Sequence, residues 1–162
     1  MAKKTLYLMC GPAGVGKSTW IYANADPEVC GVVSRDSIRF EKVKEGEHYF
    51  AREPEVFAEY CKRLNWYLHN PFCECVYADA THINEASRMK LLGNLDLTDV
   101  EVVPVVFNVP LEQALKQNKK RAGRAKVPSS AIKNMFNGFR HPKEDKFEYA
   151  NIIEVSATWQ SV

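Results

Sequence analysis

Residues 6–19 read LYLMCGPAGVGKST, an apolar run that breaks into glycines and then opens a helix. The spacing fills the pattern G-x-x-x-x-G-K-[ST], which is typical of a phosphate-binding loop, or P-loop. Glycine lets the backbone take positive φ, so that successive amide N–H groups can point at an anion. The helix behind the loop adds the positive end of its dipole. The predicted nucleotide site consists of Gly11, Pro12, Ala13, Gly14, Val15, Gly16, Lys17, Ser18 and Thr19.

Two side chains of this loop carry predicted chemistry. Lys17 can reach the β- and γ-phosphates of ATP, or of another nucleoside triphosphate, and we expect it to be catalytic. The Ser18 hydroxyl is predicted to bind the Mg²⁺ that bridges those phosphates. The alternative is a glycine turn that only happens to match the pattern. The apolar strand before the loop and the helix after it favour the P-loop.

The composition is that of an ordinary folded chain. Of the 162 residues, 46% are hydrophobic and 26% are charged, which excludes a disordered or fibrous protein. This length predicts a single domain over residues 1–162. The apolar runs are too short to span a bilayer, so we expect no membrane partner and a cytoplasmic location. Because the net charge is only +2, a nucleic acid would have to be bound by a local basic patch.

The cysteines indicate a reducing compartment. Their odd count and irregular spacing match no disulfide framework, and we expect buried free thiols. A metal site at Cys73 and Cys75 is the alternative, but no second cysteine pair completes four ligands. The five cysteines are Cys10, Cys30, Cys61, Cys73 and Cys75.

Five short apolar runs, at residues 5–10, 31–34, 75–79, 100–109 and 150–155, alternate with helical patterns. This alternation predicts an α/β fold. With the P-loop, it indicates a P-loop NTPase three-layer sandwich, in which a central parallel sheet of four to five strands has helices on both faces. Pro104 in the fourth run predicts a bulge or an irregular ladder.

Polar residues follow two of these strands, at the edge where ligands bind in open α/β sheets. Asp36 follows the second strand and is the candidate general base. Asp79 follows the third, where it could position the acceptor or serve only as a helix cap. Either Asp36 or Asp79 is a candidate to hold Mg²⁺ through water. Arg88 could reach a phosphate or Asp79. The predicted substrate contacts are Arg35, Arg39, Asp79, Thr81 and Arg88.

A basic segment at about residues 116–140 predicts a helical lid. Six cations lie between Lys116 and Lys126, Gly123 is a predicted hinge, and a second helix follows at residues 128–140. A lid arginine, Arg121 or Arg124, could neutralise charge on a transferred phosphoryl group. The alternative is a solvated basic face, against which the upstream P-loop argues.

The chain resembles the kinase domain of bacteriophage polynucleotide 5′-kinases over nearly its whole length. The resemblance rests on KKTLYLMCGPAGVGKSTW at residues 3–20, SRDSIR at 34–39, YADATHIN at 77–84 and NKKRAGRAKVP at 118–128. It implies that Asp36 is the base on the acceptor hydroxyl, that Arg39 contacts the acceptor phosphate, and that Arg121 or Arg124 contacts the ATP phosphates. Ala80 and His82 depart from the family pattern, which leaves the roles of Asp79 and Thr81 open.

The resemblance implies a nucleic-acid repair enzyme of a bacterial or phage-infected cytosol. It would transfer the γ-phosphate of ATP, with Mg²⁺, to the 5′-hydroxyl of DNA or RNA. A small-molecule kinase on the same scaffold and a nucleotide-dependent switch or adaptor are the alternatives. A homo-oligomer and a separate phosphatase or ligase partner stay open. Whether the protein is a stand-alone kinase or the sequence is a fragment of a longer protein also stays open.

Overall fold

The computed structural model describes residues 3–123 and 126–158, which form a five-stranded sheet. All pairings between neighbouring strands are parallel. The order in space is β2-β3-β1-β4-β5, so β1, which leads into the P-loop, lies at the centre. The predicted α/β class and parallel sheet are confirmed. The strands are β1 (Lys4–Cys10), β2 (Cys30–Ser34), β3 (Cys75–Asp79), β4 (Val100–Asn108) and β5 (Ile153–Ser156).

Helices cover both faces of the sheet. Strand β1 shows the division, because Leu6, Leu8 and Cys10 point into one buried cluster while Met9 points into the other. No helix in the described ranges is long and apolar enough to cross a bilayer. The helices are α1 (Lys17–Asn24), α2 (Arg35–Lys42), α3 (Glu53–His69), α4 (Glu85–Leu92), α5 (Leu111–Lys119) and α6 (Ser129–Gly138), with a 3₁₀ turn at Pro142–Glu144.

Strand β4 is regular, and the bulge predicted at Pro104 is wrong. Its register with β1 runs without a shift from Lys4↔Val100 to Cys10↔Val106, and Pro104 is the partner of Leu8. The pairing with β5 begins only at Val105. Pro104 therefore lies just outside the β4–β5 ladder, so its missing N–H does not interrupt the pairing of β4 with β5.

The predicted lid segment contains the end of α5 and all of α6. The two helices pack together, and the buried Asn118 side chain joins α5 to Val127, which precedes α6. Its Nδ2 donates to the Val127 carbonyl at 2.6 Å, and its Oδ1 accepts from the Val127 amide at 2.9 Å. Gly123, the predicted hinge, takes a positive φ of 59°, which glycine adopts more readily than other residues.

Two cysteines predicted as free thiols are paired. Cys30 and Cys75 are register partners on β2 and β3 and form a disulfide. Parallel strands bring the side chains of facing residues to the same side of the sheet, which allows the bond. Cys10, Cys61 and Cys73 are free and buried, as expected.

Candidate functional site

The P-loop turn joins β1 to α1 and packs against α5. Gly14 and Gly16 have φ values of 87° and 97°, which L side chains rarely adopt. A Cβ on Gly14 would lie 2.6 Å from the carbonyl oxygen of Ala114, so the close approach also requires glycine. At the start of the loop, the Gly11 amide donates to the Thr81 carbonyl at 2.9 Å. The turn is thus fixed by α5 on one side and by the segment after β3 on the other.

Lys17 lies buried beneath this turn. Its Nζ donates to the carbonyls of Gly11 and Pro12 at 2.9 and 2.7 Å. Burial lowers the pKa of Lys17 to about 8, partly offset by the negative charge of Asp79. The backbone carbonyls of the loop therefore hold the Lys17 ammonium group, whose pKa of about 8 lies close to neutral pH.

Ser18 and Asp79 meet beside Lys17. The Ser18 hydroxyl donates to Asp79 Oδ2 at 2.7 Å. Asp79 is buried at the end of β3, and burial raises the pKa of its carboxyl despite the hydrogen bond from Ser18. The alternative role of Asp79 as a helix cap is wrong, because Asn84 caps α4 by accepting from the Ser87 amide at 2.9 Å.

This oxygen pair fits Mg²⁺, which prefers hard oxygen ligands and usually binds through one or two protein groups, water and phosphates. Within residues 3–123 and 126–158, no group of three or more His, Cys, Asp or Glu side chains could hold a metal ion. Cys75, one of the two cysteines of the alternative metal site, is bonded to Cys30. Ser18 and Asp79 could hold an ion only together with water or a bound phosphate.

Asp36 lines the same cleft and lies in the first turn of α2. The residues RDSIR, expected after a strand, form this helix because the Ser34 side chain caps it by accepting from the Ser37 amide at 3.2 Å. The Asp36 side chain is 58% exposed. Its Oδ1 accepts from Arg39 Nη1 and from the Tyr49 hydroxyl, the latter at 3.1 Å. Asp36 is thus held from one side and open to the cleft.

Glu53, which the sequence did not single out, holds the two arginines of this region. Arg39 is buried, and its Nε donates to Glu53 Oε1 at 2.6 Å while its Nη2 donates to Oε2 at 3.1 Å. Arg35 Nη2 donates to Glu53 Oε2 at 3.0 Å. Because Glu53 begins α3, this cluster fixes α2 against α3. The high charge of residues 40–53 was the available signal, but it did not indicate which acid faces the arginines.

These groups line one cleft of about 270 Å³. It brings together predicted residues of the loop, of both strand ends and of the lid, while Tyr49, Phe50, Glu53, Ala80, Val127 and Met135 were not predicted. From the lid, Met135 Sδ accepts from the Ala13 amide at 3.4 Å, so α6 touches the P-loop directly. The predicted residues that line the cleft are Ala13, Lys17, Ser18, Arg35, Asp36, Arg39, Asp79, Thr81 and Arg121.

Arg88 is not part of the cleft, and its predicted contact with substrate is wrong. The side chain is completely buried, and Asp145 accepts from its Nε and Nη2 at 2.7 and 2.8 Å. The carbonyls of His82 and Arg140 accept at 2.8 and 2.9 Å. Arg88 instead ties α4 to the segment after α6. Arg124, the second candidate lid arginine, lies outside the described residues.

His82, which departs from the family pattern, supports the site from the protein interior. It is buried, and its ring nitrogens contact the Tyr60 hydroxyl at 3.2 Å and the Met9 carbonyl. Burial lowers the pKa of His82 to about 3, so the ring is neutral at physiological pH. It therefore links α3 to the end of β1, next to the P-loop.

Solved structures with the same fold include kinases of different acceptors. A chain of the Pnkp1/Rnl/Hen1 RNA repair complex has a TM-score of 0.74 at 23% identity, covering 92% of this chain and 48% of that one. A fungal RNA kinase has a TM-score of 0.62 at 13% identity, covering 96% of this chain and 75% of that one. A sugar kinase from Janibacter sp. HTCC2649 has a TM-score of 0.64 at 13% identity, covering 96% of this chain and 86% of that one. This chain thus spans about half the length of the RNA repair protein.

A sequence search of curated proteins gave no significant match. The sequence model of one family, described as AAA domain, matches residues 6–142, which include the P-loop, both strand-end acids and the whole predicted lid segment. Because this match covers most of the chain, and because the fold is that of P-loop kinases, the protein belongs to the AAA domain family AAA_33.

Proposed function

We propose that the protein is an ATP-dependent polynucleotide 5′-hydroxyl kinase. One observation carries the proposal. A single cleft is lined both by Lys17 and Ser18 of the P-loop and by Asp36, which Arg39 contacts. A phosphate-binding loop and a carboxylate in the same cleft are what the transfer of a phosphoryl group to a hydroxyl needs.

Asp36 is the proposed general base. Both of its hydrogen bonds go to Oδ1, which leaves Oδ2 to accept the proton of an acceptor hydroxyl. As that proton moves to Asp36, the hydroxyl oxygen forms a bond to the γ-phosphorus, and the bond from this phosphorus to the β–γ bridging oxygen breaks. The products are the phosphorylated acceptor and ADP.

Cations on both sides of the cleft match the charges of the two substrates. Lys17 lies with the P-loop, and Arg121 lines the cleft from the lid segment, where it could neutralise charge on the transferred group. Arg35 and Arg39 lie on the acceptor side with Asp36. Both arginines are paired with Glu53, and a phosphodiester next to the 5′-hydroxyl would offer them a second anionic group that an unphosphorylated sugar lacks, which supports a polynucleotide acceptor.

Ser18 and Asp79 would hold Mg²⁺ in this reaction, Ser18 directly and Asp79 directly or through water. The ion would supply positive charge to the phosphates during transfer. A further support is the likeness to a chain of the Pnkp1/Rnl/Hen1 RNA repair complex, an assembly that contains other proteins beside the kinase-like chain. By the same analogy, a phosphatase or ligase partner stays a proposal for this protein.

A small-molecule kinase is the second candidate. The cleft volume of about 270 Å³ lies just below the range of roughly 300–1,000 Å³ that is usual for small-ligand sites, which suits a small acceptor. The likeness to a sugar kinase also extends over 86% of that protein, against 48% of the RNA repair chain. These observations favour an acceptor such as a sugar or nucleoside.

An acceptor panel separates the two candidates. Purified protein is incubated with Mg²⁺ and ATP labelled at the γ-phosphate, together with 5′-hydroxyl DNA or RNA oligonucleotides, the same oligonucleotides bearing a 5′-phosphate, or sugars and nucleosides. The proposal expects label on the 5′-hydroxyl oligonucleotides and none on the 5′-phosphorylated ones. Label on a sugar or nucleoside alone would establish the second candidate instead.

A further inference from the structure

We propose that Phe50 forms a platform on which the 5′-terminal nucleobase of the acceptor stacks, with Tyr49 and Arg39 holding its ring. The proposal rests on the polynucleotide kinase activity proposed above and names the part of the acceptor that the cleft recognises. It concerns the base attached to the reacting sugar, which has no role in the transfer itself.

Phe50 combines exposure with a position in the cleft. It lines the cleft with Asp36 and Arg39, yet 52% of its surface is exposed. Among the large hydrophobic side chains that are exposed in residues 3–123 and 126–158, Phe50 alone lines this cleft. A half-exposed phenyl ring beside charged groups leaves apolar surface in water that a flat apolar ligand could cover.

The Phe50 ring is held in place by its neighbours. The Tyr49 ring meets it edge-on, with centroids 4.7 Å apart and planes at 89°. The Arg39 guanidinium lies 5.5 Å from the Phe50 centroid and 4.9 Å from the Tyr49 centroid. The Phe50 amide donates to His48 Nδ1 at 3.2 Å. A ring fixed in this way loses little conformational freedom when a base stacks on it.

The same contacts join the ring to the proposed general base. Tyr49 donates its hydroxyl to Asp36 Oδ1 at 3.1 Å, and Arg39 contacts both Asp36 and the two rings. In a 5′-terminal nucleoside, the base is one sugar ring away from the 5′-hydroxyl. A hydroxyl presented to Asp36 therefore brings the base of the same nucleoside to the region of Phe50.

The chemistry of the platform fits a nucleobase better than a sugar. Every base has a π-face, so stacking on a phenyl ring gives affinity with little sequence preference. The phenyl ring has no hydrogen-bonding group for the hydroxyls of a sugar. Arg39, whose guanidinium lies over the Tyr49 and Phe50 rings, remains the contact proposed for the neighbouring phosphate, so a base would stack on the Phe50 surface that Arg39 leaves open.

The test compares two 5′-hydroxyl oligonucleotides that differ only in their 5′-terminal residue, which is either a normal nucleotide or an abasic tetrahydrofuran analogue. Both keep the reacting hydroxyl and the phosphates. We expect wild-type kcat/KM to be about tenfold lower for the abasic acceptor, within the usual range for loss of one base–aromatic stack. Phe50→Ala should lower kcat/KM for the normal acceptor by the same factor and leave the abasic value unchanged, so that discrimination disappears.

Two variants serve as controls. Phe50→Trp keeps a platform and should keep the discrimination. Phe72→Ala removes a phenylalanine that is 85% exposed and lies before the amino-terminal end of β3, whereas Asp79 of the cleft lies at the carboxyl end, and this variant should behave as wild type. Equal wild-type kcat/KM for the two acceptors, or an equal loss on both in Phe50→Ala, would overturn the platform while leaving the kinase proposal standing. If the wild-type protein labels neither oligonucleotide, the proposed function fails and the platform with it.

Discussion

At the scale of single residues, Asp36 and Lys17 divide the proposed work between an open and a buried environment. The Asp36 side chain is 58% exposed and is contacted through one carboxylate oxygen. Lys17 is buried against the carbonyls of its own loop. An acceptor can therefore reach Asp36 from the solvent, while Lys17 acts where water is largely excluded and its charge has greater effect.

Asp36→Asn should lower kcat by about 10²- to 10⁴-fold, the usual contribution of a general base, because an amide cannot take the proton of the acceptor. ATP affinity should stay within about twofold, since Asp36 is proposed to contact the acceptor. Steady-state transfer and fluorescent-nucleotide titration measure the two effects. Glu45→Gln, at an exposed position in the following loop, is the matched control. Near wild-type turnover in Asp36→Asn would remove Asp36 as the base.

Lys17 should make nucleotide affinity depend on pH. Burial lowers its pKa to about 8, so the ammonium form that binds phosphate is lost as the pH rises through that value. We expect ATP affinity to be constant near pH 7 and to fall above pH 8, towards about tenfold per pH unit. Lys17→Met should bind weakly with no such fall. A wild-type pH profile parallel to that of Lys17→Met would contradict this assignment.

At the scale of elements, the P-loop turn depends on its contact with α5. An alanine Cβ at position 14 would lie 2.6 Å from the Ala114 carbonyl oxygen, in addition to the strain of a φ of 87°. Gly14→Ala should therefore displace the turn and weaken nucleotide binding by at least about tenfold, because the clash with Ala114 adds to the free-energy cost of the backbone strain.

Gly46→Ala is the matched control for this variant. Gly46 has a φ of 84°, but nothing lies within 4 Å of the added Cβ. It should lose about 1–2 kcal/mol of the free energy of unfolding, from backbone strain, and keep wild-type nucleotide affinity. If Gly14→Ala binds nucleotide as tightly as Gly46→Ala does, packing against α5 does not shape the site.

The Arg88–Asp145 pair should stabilise the fold by its attachment of α4 to the segment after α6. Both side chains are almost completely buried, so Arg88→Met leaves an unpaired carboxylate and should cost about 3–5 kcal/mol in the free energy of unfolding. Arg63→Met removes a partly exposed arginine paired with Glu41 and Glu59 and should cost about 1 kcal/mol or less. Urea denaturation at pH 7 compares them. Equal losses would show that burial of the first pair has no energetic consequence.

At the scale of the whole molecule, the sequence predicted what depends on local pattern. Apolar runs, glycine spacing and helix periodicity are properties of neighbouring residues, and the five strands, the P-loop turn and the helices followed from them. The positions of Asp36 and Asp79 followed as well, because parallel strands bring their carboxyl ends to one edge.

Contacts between residues far apart in the sequence could not be predicted from local pattern. Arg88 was expected in the site because its partner, Asp145, is 57 residues away in sequence. The Cys30–Cys75 bond joins residues 45 apart and depends on the register of two strands. Phe50 and Glu53 lie in a stretch with high charge and no clear period, so only the packing of α2 against α3 showed that they face the cleft.

We propose that this AAA domain protein transfers phosphate to a polynucleotide 5′-hydroxyl. The most direct test is a competition in one reaction, with a 5′-hydroxyl oligonucleotide and a mixture of sugars and nucleosides at equal concentration, Mg²⁺ and γ-labelled ATP. We expect label at the 5′ terminus of the oligonucleotide, released as a labelled 5′-nucleotide on nuclease digestion. Label in the small-molecule fraction, with none on the oligonucleotide, would contradict it.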